Sequence, residues 1–269
     1  YVAAAEKHSK ISGSGVGEYE KREFEAAATE FSGYENLSGE AEIVALRREE
    51  NGKARVVLDQ TPFYAESGGQ VGDAGELAAD GFRARVLDVQ KQGKTWVHEI
   101  EILEGEPREG LKVNAIVDAV RRRAIMRAHT ATHLLHAALR QHLGKHVEQR
   151  GSLVEADRLR FDFVQPEPIP AEKLAEIEDT INGWILEARP VEICSMALDE
   201  ARSQGAMALF GEKYSDVVRT VRVGDFSFEL CGGTHLENSA AAGFCRIVSE
   251  GGVGANLRRI EALTGEAAL

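Results

Sequence analysis

Long apolar runs are missing from this 269-residue chain. No stretch approaches the ~20 residues that cross a bilayer as a helix, which excludes a helical membrane protein. A basic-then-apolar N-terminal stretch of the secretory kind is missing too. Cysteine is scarce: Cys194, Cys231 and Cys245 are odd in number and irregularly spaced. That excludes a disulfide scaffold and fits a reducing cytosol, so the expected location is cytoplasmic, with no membrane partner. Positive charge is also short. Lys and Arg number 32 against 44 Asp and Glu, a net charge of −12, so the broad basic footprint of a nucleic-acid binder is not there. Basic residues cluster only locally, at Arg121–Arg123 with Arg127 and at Arg258-Arg259. Composition alone reads these as solvated or ion-paired faces, with RNA contact the less favoured alternative. Internal repeats and low-complexity tracts are absent.

What is present is a soluble, core-forming composition, 43% hydrophobic and 28% charged, in a length that suits two compact units. Tyr1 stands in place of an initiator Met, so the chain reads as an excised or processed piece. Ser12–Gly17 is a flexible stretch, and the Glu/Lys/Arg/Ala content of Glu18–Phe31 predicts a helix. After Gly33 the pattern turns to short β-rich runs at Ile43–Leu46, Arg55–Leu58, Arg83–Val89, Thr95–Leu103 and Leu111–Val117. Several alternate polar and apolar residues, as half-buried antiparallel strands do, and together they predict a small barrel or sandwich. Within them lies Pro62-Phe-Tyr-Ala-Glu-Ser-Gly-Gly-Gln-Val-Gly-Asp73. Spacing alone favours a tight hairpin corner there; the alternative is a loop whose bare N–H groups bind a carboxylate, carbonyl or phosphate.

At Asp118 the character changes. Asp118 caps a predicted helix that runs without Gly or Pro to Leu143 and stops at Gly144. Val147–Glu155 and Arg158–Val164 read as strands turning at Ala156-Asp157. Ala171–Ala188 is a helix with its apolar stripe (Leu174, Ile177, Ile181, Trp184, Ile185) in the core. Pro190–Met196, Val217–Val223, Phe226–Leu230 and Gly243–Ser249 are further strands, and Leu198–Gly205 a short helix. The expected fold is α+β: an N-terminal small antiparallel β-barrel, then an α/β sandwich-type domain with helices on one face of an antiparallel sheet. The expected division is 1–31 as a linker or helical segment, 32–117 as the barrel and 118–269 as a metal-binding α+β domain.

The chemistry concentrates in two stretches. His129 and His133 lie four apart on one helix face, a spacing that chelates one ion. Cys231-Gly-Gly-Thr-His235, after a strand, adds a thiolate and an imidazole on a glycine-loosened loop. Imidazole with thiolate suits zinc and not Mg²⁺ or Ca²⁺. His133 with His136 is a competing pair, but that choice leaves Thr132 without a role. Thr130 stands where zinc peptidases carry their general base, which counts against peptidase chemistry. Four protein ligands close a zinc site, so the quartet does not by itself establish catalysis. Cys194 and Cys245, in predicted strands, are expected to be buried and inert.

The motifs Thr61–Asp73, Ala128–Leu135, Gly151–Val154, Arg160–Phe163, Gly205–Tyr214, Cys231–His235 and Arg258–Ala262 together resemble the editing region of bacterial alanyl-tRNA synthetases and the free-standing deacylases related to it. The likeness covers about residues 32–269. A related domain occurs in threonyl-tRNA synthetases, but the glycine-rich loop and Gly205–Phe210 are similar to the alanine family. The resemblance implies zinc on His129, His133, Cys231 and His235, with Thr132 and Gln149 as catalytic pocket residues. It also implies that Ser67, Gly68, Gly69, Gln70 and Asp73 complete the pocket or support its zinc end. The implied reaction is hydrolysis of serine or glycine from the 3′ end of the alanine tRNA; the implied partners are that tRNA and the aminoacylation and C-terminal domains of the full-length chain. No ATP-binding or aminoacylation module is read here. The alternative reading is a zinc-stabilised tRNA-binding module without hydrolytic activity.

Overall fold

The computed structural model describes residues 24, 28–208 and 214–269. Ser12–Gly17, and residues 18–23 and 25–27 of the expected N-terminal helix, lie outside them. At the described end of that run, Glu30–Phe31 is a short strand (β1) paired in parallel with Gln60–Thr61 (β4), not a helix. The reason is cross-strand bonding: Glu30 N–H donates to Asp59 O, and Ser32 N–H to Thr61 O.

Six antiparallel strands close the barrel: Ser38–Arg48 (β2), Lys53–Leu58 (β3), Gly75–Ala79 (β5), Phe82–Gln92 (β6), Thr95–Glu104 (β7) and Lys112–Val117 (β8), in the order β2-β3-β7-β6-β5-β8. Alternation drives the closure. In β8, Val113, Ala115 and Val117 point inward while Lys112, Asn114 and Ile116 face out, and Leu77, Val86 and Ile100 fill the same core. Closure leaves no free edge among these strands.

The helix Ala119–Leu143 (α1) begins where the Asp118 carboxylate accepts from Val120 and Arg121 N–H, both at 3.0 Å. It ends at Gly144, whose φ of 120° disfavours any side chain. Every residue from Ala128 to Leu139 is buried, so its polar side chains must find partners inside the protein. After α1 follow Gln149–Glu155 (β9), Arg158–Val164 (β10), helix Ala171–Leu186 (α2), Val191–Ala197 (β11), helix Leu198–Ser203 (α3), Val217–Val223 (β12), Ser227–Leu230 (β13), Cys245–Gly254 (β14) and Leu257–Thr264 (β15), of which α2, β9, β10, β13 and β15 pack on α1. Where one sheet is expected there are two, a four-stranded β14-β15-β10-β9 and a three-stranded β11-β12-β13. Leu159, Phe161 and Phe163 project from β10 into a core shared with α1 and with Ile177, Ile181 and Ile185 of α2. Leu174 and Trp184 are only half-buried at its margin.

Cys245 is buried as expected, but Cys194 is exposed. It lies on β11, an outer strand of the three-stranded sheet with nearly all of its residues open to solvent. No helix among the described residues is long and apolar enough to cross a membrane.

Candidate functional site

Two elements meet at the centre of the molecule. α1 carries His129 and His133 one turn apart, and the loop leaving β13 carries Cys231 and His235. The donor atoms of all four lie within 4.8 Å of one another. Cys231 Sγ is 3.5 Å from His129 Nε2 and 3.3 Å from His235 Nε2. Gly233 makes this approach possible, since a Cβ there would fall 2.0 Å from His129 Cε1.

The far nitrogens of two histidines are held from behind. His129 Nδ1 bonds Gln70 Oε1 at 2.7 Å. That oxygen also accepts from Thr234 N–H at 2.9 Å, while Gln70 Nε2 donates to Thr234 Oγ1 at 2.9 Å. His235 Nδ1 meets Thr130 Oγ1 at 3.2 Å, and the same hydroxyl accepts from Leu236 N–H. Such contacts fix which ring nitrogen faces inward, as they do for metal-bound imidazoles. His133 Nδ1 is buried and has no partner among the described residues. His136, the competing ligand, turns away from the cluster and bonds Glu229 Oε1 at 3.1 Å.

The electrostatics suit cation binding. Burial pushes the Cys231 thiol up, but the surrounding imidazoles of His129, His235 and His133 outweigh burial and hold it well below the ordinary thiol range; thiolate is the ligating form. Burial and the neighbouring His129 lower His235 to about 3, leaving a neutral imidazole. Burial also works to lower His133, but Glu229 and Cys231 prevail and raise it to about 9, a negative field that equally favours a divalent cation. Convergent soft donors, oriented rings and that field fit a metal such as zinc.

Beside the quartet opens a cavity of about 410 Å³, lined by Tyr64, Ser67, Gly68, Thr132, Gln149 and Glu229 among others. Thr132 donates its hydroxyl to Ala128 O at 2.8 Å, which leaves the oxygen as an acceptor. Gln149 reaches the cavity because β9 bulges. Arg150 is the extra residue opposite the Asp162/Phe163 step, so Gln149 pairs with Phe163, whose ring faces the core. Glu229, in which His133 and His136 overcome the upward push of burial and lower the carboxyl to about 2, supplies a buried negative charge.

The glycine-rich loop is divided in role. Ser67 and Gly68 line the cavity. Gly69, at φ +86°, packs where a Cβ would meet Ser152 Oγ at 2.3 Å, and its carbonyl accepts from Val154 N–H. Gln70 and Asp73 are buried away from the cavity. Gln70 stands behind His129, and Asp73 is ion-paired with Arg122 of α1. The loop is thus neither a plain hairpin corner nor wholly a ligand-binding surface. Sequence reading missed Arg219, Tyr34 and Glu229, and gave Thr130 no supporting role. Arg219 Nη1 donates to the carbonyls of Cys231 and Gly233, and Tyr34 Oη to that of Gly232, together pinning the ligand loop. The basic clusters are largely neutralised: Arg127 pairs with Asp157, Arg258 with Glu250 and Arg259 with Asp162.

Residues 3–121 match the family described as tRNA synthetases class II (A), and residues 218–261 match the threonyl and alanyl tRNA synthetase second additional domain. The class is therefore that of class II tRNA synthetases bearing the second additional domain. The chain is 51% identical to an alanine–tRNA ligase of Acetivibrio thermocellus, covering 99% of this chain and 31% of that protein. It is 54% identical to one of Nitrosomonas eutropha (92% and 30%) and 49% identical to one of Fusobacterium nucleatum (88% and 27%). The chain belongs to the alanine–tRNA ligase family, and spans about a third of the length of these relatives.

Proposed function

We propose that this chain is the editing part of an alanine–tRNA ligase, a zinc-dependent deacylase that hydrolyses serine or glycine from the tRNA for alanine in the cytoplasm, working beside the aminoacylation and C-terminal domains of the full-length protein. The observation that carries the reading is the four-donor cluster opening onto a cavity with Thr132, Gln149 and Glu229 on its wall. His129, His133, Cys231 and His235 would hold the zinc. Zinc there would supply Lewis acidity toward an ester carbonyl or a water.

The remaining chemistry belongs to the chain's own side chains. Every aminoacyl ester carries an α-ammonium, and Glu229 is the one carboxylate among the described residues lining the cavity. Thr132 offers an acceptor oxygen. Gln149 donates through Nε2 to Ser152 Oγ at 3.1 Å, which leaves its carbonyl oxygen as a second acceptor. A serine hydroxyl donates its one proton to one of these acceptors, and with glycine a water fills the same place. An alanine methyl displaces that water and leaves them unpaired, a mismatch that rejects an analogue better than steric fit does. The ester is intrinsically labile, so positioned water and orientation suffice without a covalent intermediate.

A second reading, a zinc-stabilised tRNA-binding module, draws on the closed set of four donors, the pattern of structural zinc. Thr132→Val and Gln149→Ala separate the two, since neither residue belongs to the quartet. The expected result is a roughly 10- to 100-fold loss of seryl-tRNA hydrolysis, with zinc content and melting temperature retained. Unaltered hydrolysis in both variants would sink the pocket assignment.

A further inference from the structure

Along one rim of the cavity runs a row of aromatic rings with a cation at each end. Lys91 Nζ, on β6, sits 4.6 Å from the Trp96 ring centre on β7. Trp96 is stacked on Phe31 at 6.0 Å and 14°. Phe31 meets Tyr34 edge-on at 4.9 Å and Tyr64 at 6.1 Å. The Arg219 guanidinium, on β12, lies 4.2 Å over Tyr34. Lys91, Tyr64 and Arg219 line the cavity, so the row touches the site at both ends and at Tyr64, while Trp96, Phe31 and Tyr34 lie just outside its wall.

A packed core does not account for this row. Tyr34 is 48% exposed, Lys91 is exposed, and Phe31 and Trp96 are half-buried. In a chain of net charge −12, two cations bracketing partly open rings are a local departure from the general field. The nearby barrel carboxylates Glu66 and Asp88 are both engaged by Gln90 Nε2, at 2.8 and 2.7 Å. Arg219 is committed to the ligand loop through Nη1. Among the described residues Lys91 is held against the Trp96 ring face, a contact that a phosphate can replace.

We infer that this Lys91–Trp96–Phe31–Tyr34 shelf binds the single-stranded 3′-terminal nucleotides of the aminoacylated RNA, a base stacking on the Trp96 face that Lys91 now covers and a backbone phosphate pairing with the displaced Lys91. Stacking on aromatic side chains is indifferent to base identity, and one or two cations track the backbone. The inference rests on the reading that the cavity takes an aminoacyl ester. That ester hangs from the sugar of the last nucleotide, so the nucleotides before it must leave across the rim.

The test is equilibrium binding of the 269-residue chain to two uncharged RNA acceptor hairpins, one with a single-stranded 3′ tail and one blunt, over a salt series. The tailed hairpin is expected to bind more tightly. Lys91→Glu and Trp96→Leu are expected to lose most of that tail-dependent difference, about tenfold, with blunt-hairpin affinity and melting temperature kept. Lys91→Arg should restore it. Lys91→Ala should lower the slope of log K against log salt by about one. Equal binding of tailed and blunt RNA, or a tail effect untouched by Lys91→Glu, would overturn the shelf. Because the RNA is uncharged, an absence of deacylation would count against the proposed reaction and leave this binding result to stand or fall separately.

Discussion

At the scale of single residues, the site depends on side chains standing behind its donors. Gln70 is spent on His129 Nδ1 and the Thr234 backbone, so Gln70→Ala should weaken zinc binding about 10- to 100-fold. Competition with a chromophoric chelator measures this, and an unchanged affinity would refute the orienting role. Gly233→Ala forces a Cβ into the His129 ring, so it should abolish stoichiometric zinc by metal analysis while the barrel still folds. The four donors were legible in sequence because two i, i+4 pairs of soft ligands are unusual in a chain with three cysteines. Their supports were not. Thr130 counted only against peptidase chemistry, since its bond to His235 spans 105 positions and leaves no local mark. For Gln70 the resemblance left open completing the pocket or supporting its zinc end, because nothing local reveals a bond to a residue 59 positions away. Arg219 and Glu229 carried no signal at all, being ordinary polar residues in alternating strands.

Elements were read best where a cap or a strict alternation marks them. Asp118 and Gly144 bounded α1 because both act locally. β5 and β15 escaped notice. Gly75-Glu-Leu-Ala-Ala79 has no β-branched residue, and Leu257–Thr264 is rich in helix formers; both become strands through pairing with β6 and β8, and with β10 and β14. The bulge that turns Gln149 inward has no sequence signature either. The barrel carries a pH liability of its own. His98 is wholly buried, bonded to Thr61 Oγ1 at 2.8 Å and Val56 O at 3.3 Å. Burial lowers it to about 4, against weaker upward pulls from backbone contacts at Val56 and Trp96. The unfolded chain takes up this proton first as pH falls. The associated stability is therefore complete above the ordinary value of about 6.5 and is lost progressively down to about pH 4, roughly 3 kcal/mol in all. Denaturant titrations over that range should show the loss in the parent chain and a flatter profile in His98→Gln. Parallel profiles would contradict it.

At the scale of the whole molecule, a buried ion pair is one of the contacts that join the barrel to the half carrying the four-donor cluster, beside Gln70 on His129 and Tyr34 on Gly232. Arg122 of α1 donates to Asp73 at 3.0 Å, to Gly33 O at 2.7 Å and to Pro62 O at 2.9 Å. Asp73 also accepts from Tyr64 N–H at 2.7 Å. Asp73→Asn leaves the guanidinium buried without its counter-charge and should cost about 3–5 kcal/mol in equilibrium unfolding; a change below 1 kcal/mol would show that the pair does not stabilise the joint. The joint explains why a β-barrel accompanies a zinc-type cluster, since the barrel's loop supplies Gln70 behind the donors, and Ser67 and Gly68 to the cavity wall. The most direct test of the account is the rate of deacylation of the alanine tRNA charged with serine and, separately, with alanine, each with and without a strong chelator. The account predicts fast serine release that the chelator abolishes and zinc restores, and alanine release close to the uncatalysed rate. Equal rates on the two esters, or serine release indifferent to zinc, would contradict it.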